Sequence, residues 1–496
     1  FNQFHDVLCG CSIREAYEDA RVQLDEARSI AARAENAALQ KISWAVDTVG
    51  GIPGRLRSKE SHFRLWELDG LGTPVVVFNP HPFTAKAQIQ VYGAVKYAAD
   101  ESDVETPIQT VRASRTNGED KWDSLFVAEV PPMGYRLYWI YLDEKGRASH
   151  ERDRALRTPD DNDAVAASGL TITETSIGNR RLSARFDPKT GALVSLMRRD
   201  SGRETLSAPA LPRLVDIEHA DTWAHRVFTF DKLREGFENA RFEILERGPV
   251  RAKLRVTTTA CASTLVQDFI LYADADQLEV EARLDMRERF RMLKLCFPVA
   301  ARSPKARAEI SYGVIERECD GCEETGHRWM QLGGETGGLA VLNDGKYSFS
   351  AAGNELRLTV ANTSIYADHF GQRNRDDSCV HADMGAQEFR YALVPHDGSW
   401  TKAGLARRGE LFNRPLTSIV ETYHEGPLPA RYEGLSVEPS NVSVGALKRA
   451  EDGGGWILRL NETVGAETDA AVKAPMLGRE LKLHLAPLEI QSIFIP

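Results

Sequence analysis

The sequence predicts a mainly β chain with an N-terminal helical segment. A long bundle helix is followed by an antiparallel β-sandwich and a large β super-sandwich. Three observations predict it. Apolar residues recur at Ile13, Tyr17, Ala20, Leu24, Ala27, Ala31, Ala34 and Ala38, spaced mostly by alternating fours and threes, the stripe of a helix packed at a shallow angle. After about residue 65, short segments alternate apolar and polar residues between turn signals, which is strand periodicity. Those segments are too many for one small sheet, so stacked sheets are expected.

The elements follow in order. Ser12-Ile13-Arg14-Glu15 reads as a capping box that starts a helix running to about residue 48, the Ser hydroxyl and the Glu carboxylate each taking a free backbone N–H. Its later stripe is mostly Ala, so a partner helix should approach closely there. Gly50-Gly51-Ile52-Pro53-Gly54 ends it. Thr73 to Phe78 and Ala87 to Tyr92 read as strands around a Pro-rich turn, continued by Val127 to Val130 and Tyr135 to Tyr141. The polar stretch from about 143 to 163 has few large apolar residues and reads as a linker or surface loop. Strand texture resumes near 168, as in Leu170–Thr173, Ala252–Val256, Glu279–Leu284, Leu356–Val360 and Trp456–Leu460. Turns at Asp187–Gly191 and Asn343–Gly345 punctuate it, and a short helix is expected near Lys402–Phe412. The expected blocks are 1–64, 65–145, 146–165 and 166–496. No fixed-period repeat is visible.

The 496 residues are 42% hydrophobic and 27% charged, with a net charge of −10. That balance disfavours binding to a phosphate backbone, so no nucleic-acid partner is expected. No apolar run reaches the ~20 residues that span a bilayer, so no membrane partner is expected either. Seven scattered cysteines suit free thiols in a reducing compartment, and a bacterial cytoplasm is the expected location. Sequons at Asn362, Asn441 and Asn461 read as chance occurrences. Phe1 to Asp6 already reads as structured interior, so a fragment or processed form is expected.

Two stretches carry candidate chemistry. His5-Asp6 is either a metal-ligating imidazole beside a hydroxyl-binding carboxylate or a pair that caps local structure. Asp221-Thr222-Trp223-Ala224-His225 joins a carboxylate, an indole and an imidazole. Such a set suits a sugar, the ring covering C–H faces and the carboxylate accepting from hydroxyls; the alternative is an ordinary loop. Cys9-Gly10-Cys11 has the wrong spacing for a zinc site, and Cys319-Asp320-Gly321-Cys322 stands alone, so free cysteines are expected. Gly333–Gly338 reads as a flexible turn. No nucleophile elbow, Walker loop or dinucleotide fingerprint is present.

Asn2-Gln3-Phe4-His5-Asp6-Val7-Leu8, with Gly10 and Ser12-Ile13, resembles the N-Q-F-H-D-I-L-x-G-x-S-I segment of family 38 glycoside hydrolases, the retaining α-mannosidases. Similar segments follow in family order. They are Val76–Pro80, Pro131–Tyr135, Phe186–Leu193, Ser311–Arg317, His327–Trp329, Leu342–Tyr347, Tyr391–His396 and Ile457–Thr463. The resemblance implies the part of such an enzyme that follows its catalytic barrel, with FNQFHD as the last strand of the active site. His5 is then the last ligand of a Zn2+ ion that orients sugar hydroxyls, and Asp6 a sugar-binding carboxylate. Asp221, Trp223 and His225 are further candidates for substrate binding. The nucleophile and the acid/base carboxylate are expected upstream, so no catalytic residue is expected in this chain, which alone should be inactive and bind zinc weakly or not at all. The implied partners are an α-mannoside or oligosaccharide and the N-terminal barrel, with a homo-oligomer allowed. Cys9 and Cys11 depart from the family's Pro and small hydroxyl residue. The other class considered is a non-catalytic carbohydrate-binding or structural β-sandwich protein.

Overall fold

The structure, a computed structural model, describes residues 2–49, 72–114, 121–141 and 166–496. Strands dominate them. The helix end expected at Gly50–Gly54 and the whole 143–163 stretch lie outside the described residues. Contacts divide the chain into two units. The first comprises 1–32, 169–245 and 252–405; the second comprises 33–168, 246–251 and 406–496. The units interleave along the chain, whereas the sequence suggested successive blocks.

The helical segment differs from expectation at its start. His5–Leu8 is a four-residue α-helix, α1, where a strand was expected. The second helix, α2, spans Arg14–Ser43. The Ser12 N–H that Glu15 was expected to take donates instead to Tyr17 Oη at 2.9 Å. Residues 21–38 of α2 are exposed throughout, and Val22, Leu24 and Ile30 are each more than half exposed. No partner helix covers the expected stripe among the described residues.

In the first unit, a nine-stranded and a six-stranded antiparallel sheet share one core. The alternation seen in sequence is the reason. Arg251–Ala260 buries every second residue, putting Ala252, Leu254 and Val256 inside. Leu278–Met286 does likewise and pairs with Gly385–Asp397, setting Val280 opposite Tyr391. Gly337–Asn343 is buried along its whole length, as expected for a strand covered on both faces. The expected turns also form. Asp187 Oδ1 accepts the N–H groups of Lys189 and Thr190 at 2.9 and 2.8 Å, and Gly191 takes φ +73° to close the turn. Asn343 Oδ1 does the same for Gly345 and Lys346.

The strand Arg291–Pro298 in the six-stranded sheet shows how the site is floored. Leu293, Leu295 and Phe297 point into the shared core. Met292 points to the other face, where it packs with Val215, Ile217, Ala220 and Phe230. Lys294 shares that second face. It is fully buried, forms an ion pair with Glu323 and donates to Ser350 Oγ at 3.0 Å. Burying a charge is costly unless it is paired and hydrogen-bonded, and both conditions hold. The chain from 217 to 230 folds over this face, with the Glu323 N–H donating to the Phe228 carbonyl at 2.9 Å.

The second unit holds smaller antiparallel sheets. Thr73–Asn79 lies between Thr417–Val420 and Gly134–Tyr141, and a short helix at Leu405–Asn413 matches the expected one. At the C-terminal end, Ser436–Glu438, Thr468–Ala474 and Arg479–Leu485 form one sheet, and Val442–Arg449, Trp456–Glu462 and Ile490–Ile495 another. A core of Leu435, Val437, Leu458, Leu460 and Val472 joins them. The amide of Asn441, one of the three sequons, is already used, donating to Glu462 at 2.9 Å and Thr468 at 2.7 Å.

Candidate active site

His5 and Asp6 stand at the surface of α1. His5 Nε2 lies 3.5 Å from Asp6 Oδ2, and their side chains are 75% and 40% exposed. The Phe4 ring packs on the imidazole at 4.2 Å. The backbone beneath them is tied down. Cys11 N–H and Tyr17 Oη both donate to the Asp6 carbonyl, at 3.0 and 3.1 Å, and the Cys9 thiol donates to the His5 carbonyl at 2.6 Å. Gly10 supplies the turn between the cysteines with φ +87°, a conformation that costs other residues more.

Cys11 is the link to the second stretch. It is buried, and its thiol donates to the Thr222 carbonyl at 3.7 Å. Burial, then the neighbouring Cys9, Asp6 and Asp221, push its pKa up to about 12. It therefore stays a thiol and keeps its donor. The two stretches singled out in sequence, 211 residues apart at this contact, meet on one side of the first unit.

In the second stretch, Asp221 and His225 form a close pair. Asp221 Oδ2 lies 2.6 Å from His225 Nδ1, and Asp221 Oδ1 accepts the His225 N–H at 2.9 Å. Asp221 Oδ2 also accepts the Phe370 N–H at 2.6 Å. Burial works against the Asp221 charge, but these bonds outweigh it and hold the carboxyl below its usual range. The His225 ring stacks on Phe370 at 3.9 Å, and His369 lies edge-on to both His225 and Trp223, at 5.0 and 4.9 Å. His369 and Phe370 were not foreseen, since nothing in the sequence pairs them with a stretch almost 150 residues earlier. The two loops are stitched together, Thr222 N–H to the Asp368 carbonyl at 3.0 Å and Asp368 N–H to Thr222 Oγ1 at 2.8 Å.

A zinc site needs about four ligands. Among the described residues, no group of three His, Cys, Asp or Glu side chains could hold a metal ion. His5 fits one position of such a site, and the described residues do not complete it. Cys319 and Cys322 are free thiols. Burial raises the pKa of the first, and a hydrogen bond with Asp320 that of the second. Both shifts disfavour thiolate chemistry. No helix among the described residues is long and apolar enough to cross a membrane.

Comparison with known proteins places the fold in a family. Residues 177–370 match the glycosyl hydrolases family 38 C-terminal domain, and residues 441–494 match the glycosyl hydrolases family 38 C-terminal beta sandwich domain. Alpha-mannosidase G of Dictyostelium discoideum is 24% identical over 94% of this chain and 42% of its own length. Human alpha-mannosidase 2C1 is 28% identical over 75% of this chain and 39% of its own length. The chain thus spans about two fifths of these relatives. The crystal structure of an alpha-mannosidase from Enterococcus faecalis V583 covers 99% of this chain with a TM-score of 0.74 at 14% identity, and 62% of that structure is matched. The last likeness shows the fold, and the family matches fall on the two β regions that carry it: the chain belongs to glycosyl hydrolase family 38, as a C-terminal portion.

Proposed function

We propose that this chain is the C-terminal part of a retaining, zinc-dependent α-mannosidase that hydrolyses terminal α-mannosidic bonds. The observation that carries the proposal is the meeting of the His5-Asp6 turn with the Asp221–His225 loop through Cys11 and Thr222. In this reading the first stretch offers a metal-ligating imidazole and a carboxylate able to accept from hydroxyls, and the second offers aromatic rings for C–H faces.

In this account Asp6 binds sugar hydroxyls and His5 is one zinc ligand. His5 must be neutral to bind metal, with its second ring nitrogen held by an acceptor. The other ligands would come from outside the described residues, which do not complete the site. Retaining hydrolysis needs two carboxyl groups about 5–5.5 Å apart, one attacking and one protonating the leaving oxygen. Both are assigned to a barrel segment that precedes this chain in the whole protein.

The test is hydrolysis of 4-nitrophenyl α-mannopyranoside by the full-length protein and by this chain alone. Turnover by the former only is expected. Turnover by this chain alone overturns the placement of the nucleophile, and turnover by neither overturns the function.

A further inference from the structure

We propose that Asp221 locks His225 in one tautomer so that Nε2 accepts a hydrogen bond from a hydroxyl of a bound hexopyranose, beside a wall made by Trp223, His369 and Phe370. The proposal rests on the α-mannosidase assignment and deepens it, giving the loop a division of labour. His225 touches the sugar. Asp221 does not; it is a positioning residue.

Four observations carry it. The first concerns the proton. Asp221 lies against three donors, namely His225 Nδ1 at 2.6 Å, His225 N–H at 2.9 Å and Phe370 N–H at 2.6 Å. An ionised carboxylate only accepts, so Nδ1 carries the ring proton, and in the neutral imidazole Nε2 is left as a bare acceptor. The Asp221 side chain is 5% exposed, whereas that of His225 is 31% exposed. The pair is thus anchored at the acid and open at the ring.

The second observation is what the ring lacks. No described residue bonds His225 Nε2 or Trp223 Nε1. An acceptor and a donor are therefore left on neighbouring rings, a combination that suits adjacent sugar hydroxyls. The third is Phe370, 59% exposed although it stacks on His225 at 3.9 Å. A ring retained only for packing would lie deeper.

The fourth is strain. Ala224, Arg226, Ala367 and Phe370 all take φ between +50° and +61°. Four such non-glycine residues in two stitched loops are unfavourable for the fold. They persist only where surroundings over-determine them, commonly at ligand sites.

The experiment is steady-state kinetics of the full-length protein on 4-nitrophenyl α-mannopyranoside, with thermal unfolding of each variant. His225→Ala and Asp221→Asn should each raise KM about tenfold, the worth of one hydrogen bond, with kcat little changed. The double variant should be no worse than His225→Ala alone, because Asp221 acts through His225. His225→Gln, which keeps an acceptor on the ring side, should recover part of KM. Phe370→Ala, whose ring is 59% exposed and whose backbone N–H to Asp221 survives the change, carries the test if His225→Ala does not fold, and should also raise KM. Wild-type KM in the folded single variants overturns the proposal and leaves the α-mannosidase assignment standing. So does an Asp221→Asn penalty that is equal with and without His225, as that marks a purely structural carboxylate. An inactive wild-type protein overturns the assignment and this proposal with it.

Discussion

Cys11 Sγ lies 3.7 Å from the carbonyl oxygen of Thr222, joining the His5-Asp6 turn to the Asp221–His225 loop across 211 residues of chain. The joint depends on Gly10. A Cβ there meets nothing within 4 Å, so the only obstacle to a side chain is φ +87°. Gly10→Val should therefore cost about 1–2 kcal/mol through the backbone alone. Thermal unfolding should show a drop of a few degrees, and activity of the full-length protein should fall more steeply than stability, because the His5 turn moves. An unchanged Tm with full activity would show that this turn does not matter.

Lys294 and Glu323 pin the sheet face under the loop. Glu323 also accepts from Ser348 Oγ at 2.7 Å. Lys294→Met leaves the Glu323 carboxylate, only 15% exposed, without its cation and should cost up to about 3–5 kcal/mol. Adding Glu323→Leu should restore much of that loss, since an apolar pair replaces an ionic one. Denaturant unfolding of the two variants checks this. Equal losses in both would mean that the pair is not coupled.

Glu462 organises the C-terminal sandwich. It is fully buried and accepts N–H groups from Val464, Gly465, Ala466 and Leu488 at 2.7–3.1 Å, as well as the Asn441 amide. Burial opposes its charge, but these donors win and lower its pKa. A depressed folded-state pKa gives stability that is present above the unfolded value of about 4.3 and is lost as pH falls through the folded value. Glu462→Gln should thus lower Tm clearly at pH 7, and the gap should narrow below about pH 4. A gap independent of pH would refute the linkage.

His396 sets a second pH window. Burial pushes its pKa down to about 4, from 6.5. The unfolded chain then binds a proton that the fold excludes, so stability should fall as pH drops from about 6.5 toward 4. His396→Gln should flatten the Tm profile in that window, while Glu462→Gln should leave it unchanged. A wild-type profile that is already flat between those values contradicts a buried neutral imidazole.

Period-two alternation made most of the strands legible. Arg251–Ala260 and Leu278–Met286 bury every second residue as their sequences indicate. Asp187 and Asn343 announced their turns because each carries the side-chain acceptor that closes one. His5, Asp6, Asp221, Trp223 and His225 could be singled out as candidates because each set is local in sequence. His369 and Phe370 were not, because their partners come from a distant loop and only the fold brings them together. Lys294 did carry a signal, a cation flanked by apolar residues inside the strand Arg291–Pro298, but its partner Glu323 could not be read from spacing. The α1 helix was missed because four residues give too little periodicity to show a helix.

His5 is proposed to serve an α-mannosidase as a zinc ligand. That role is tested most directly by kcat/KM of the full-length protein for 4-nitrophenyl α-mannopyranoside, with and without His5→Ala. The account predicts hydrolysis that falls by at least ~100-fold in the variant, while Tm hardly changes because His5 is exposed. Undiminished hydrolysis in a folded His5→Ala protein would contradict it.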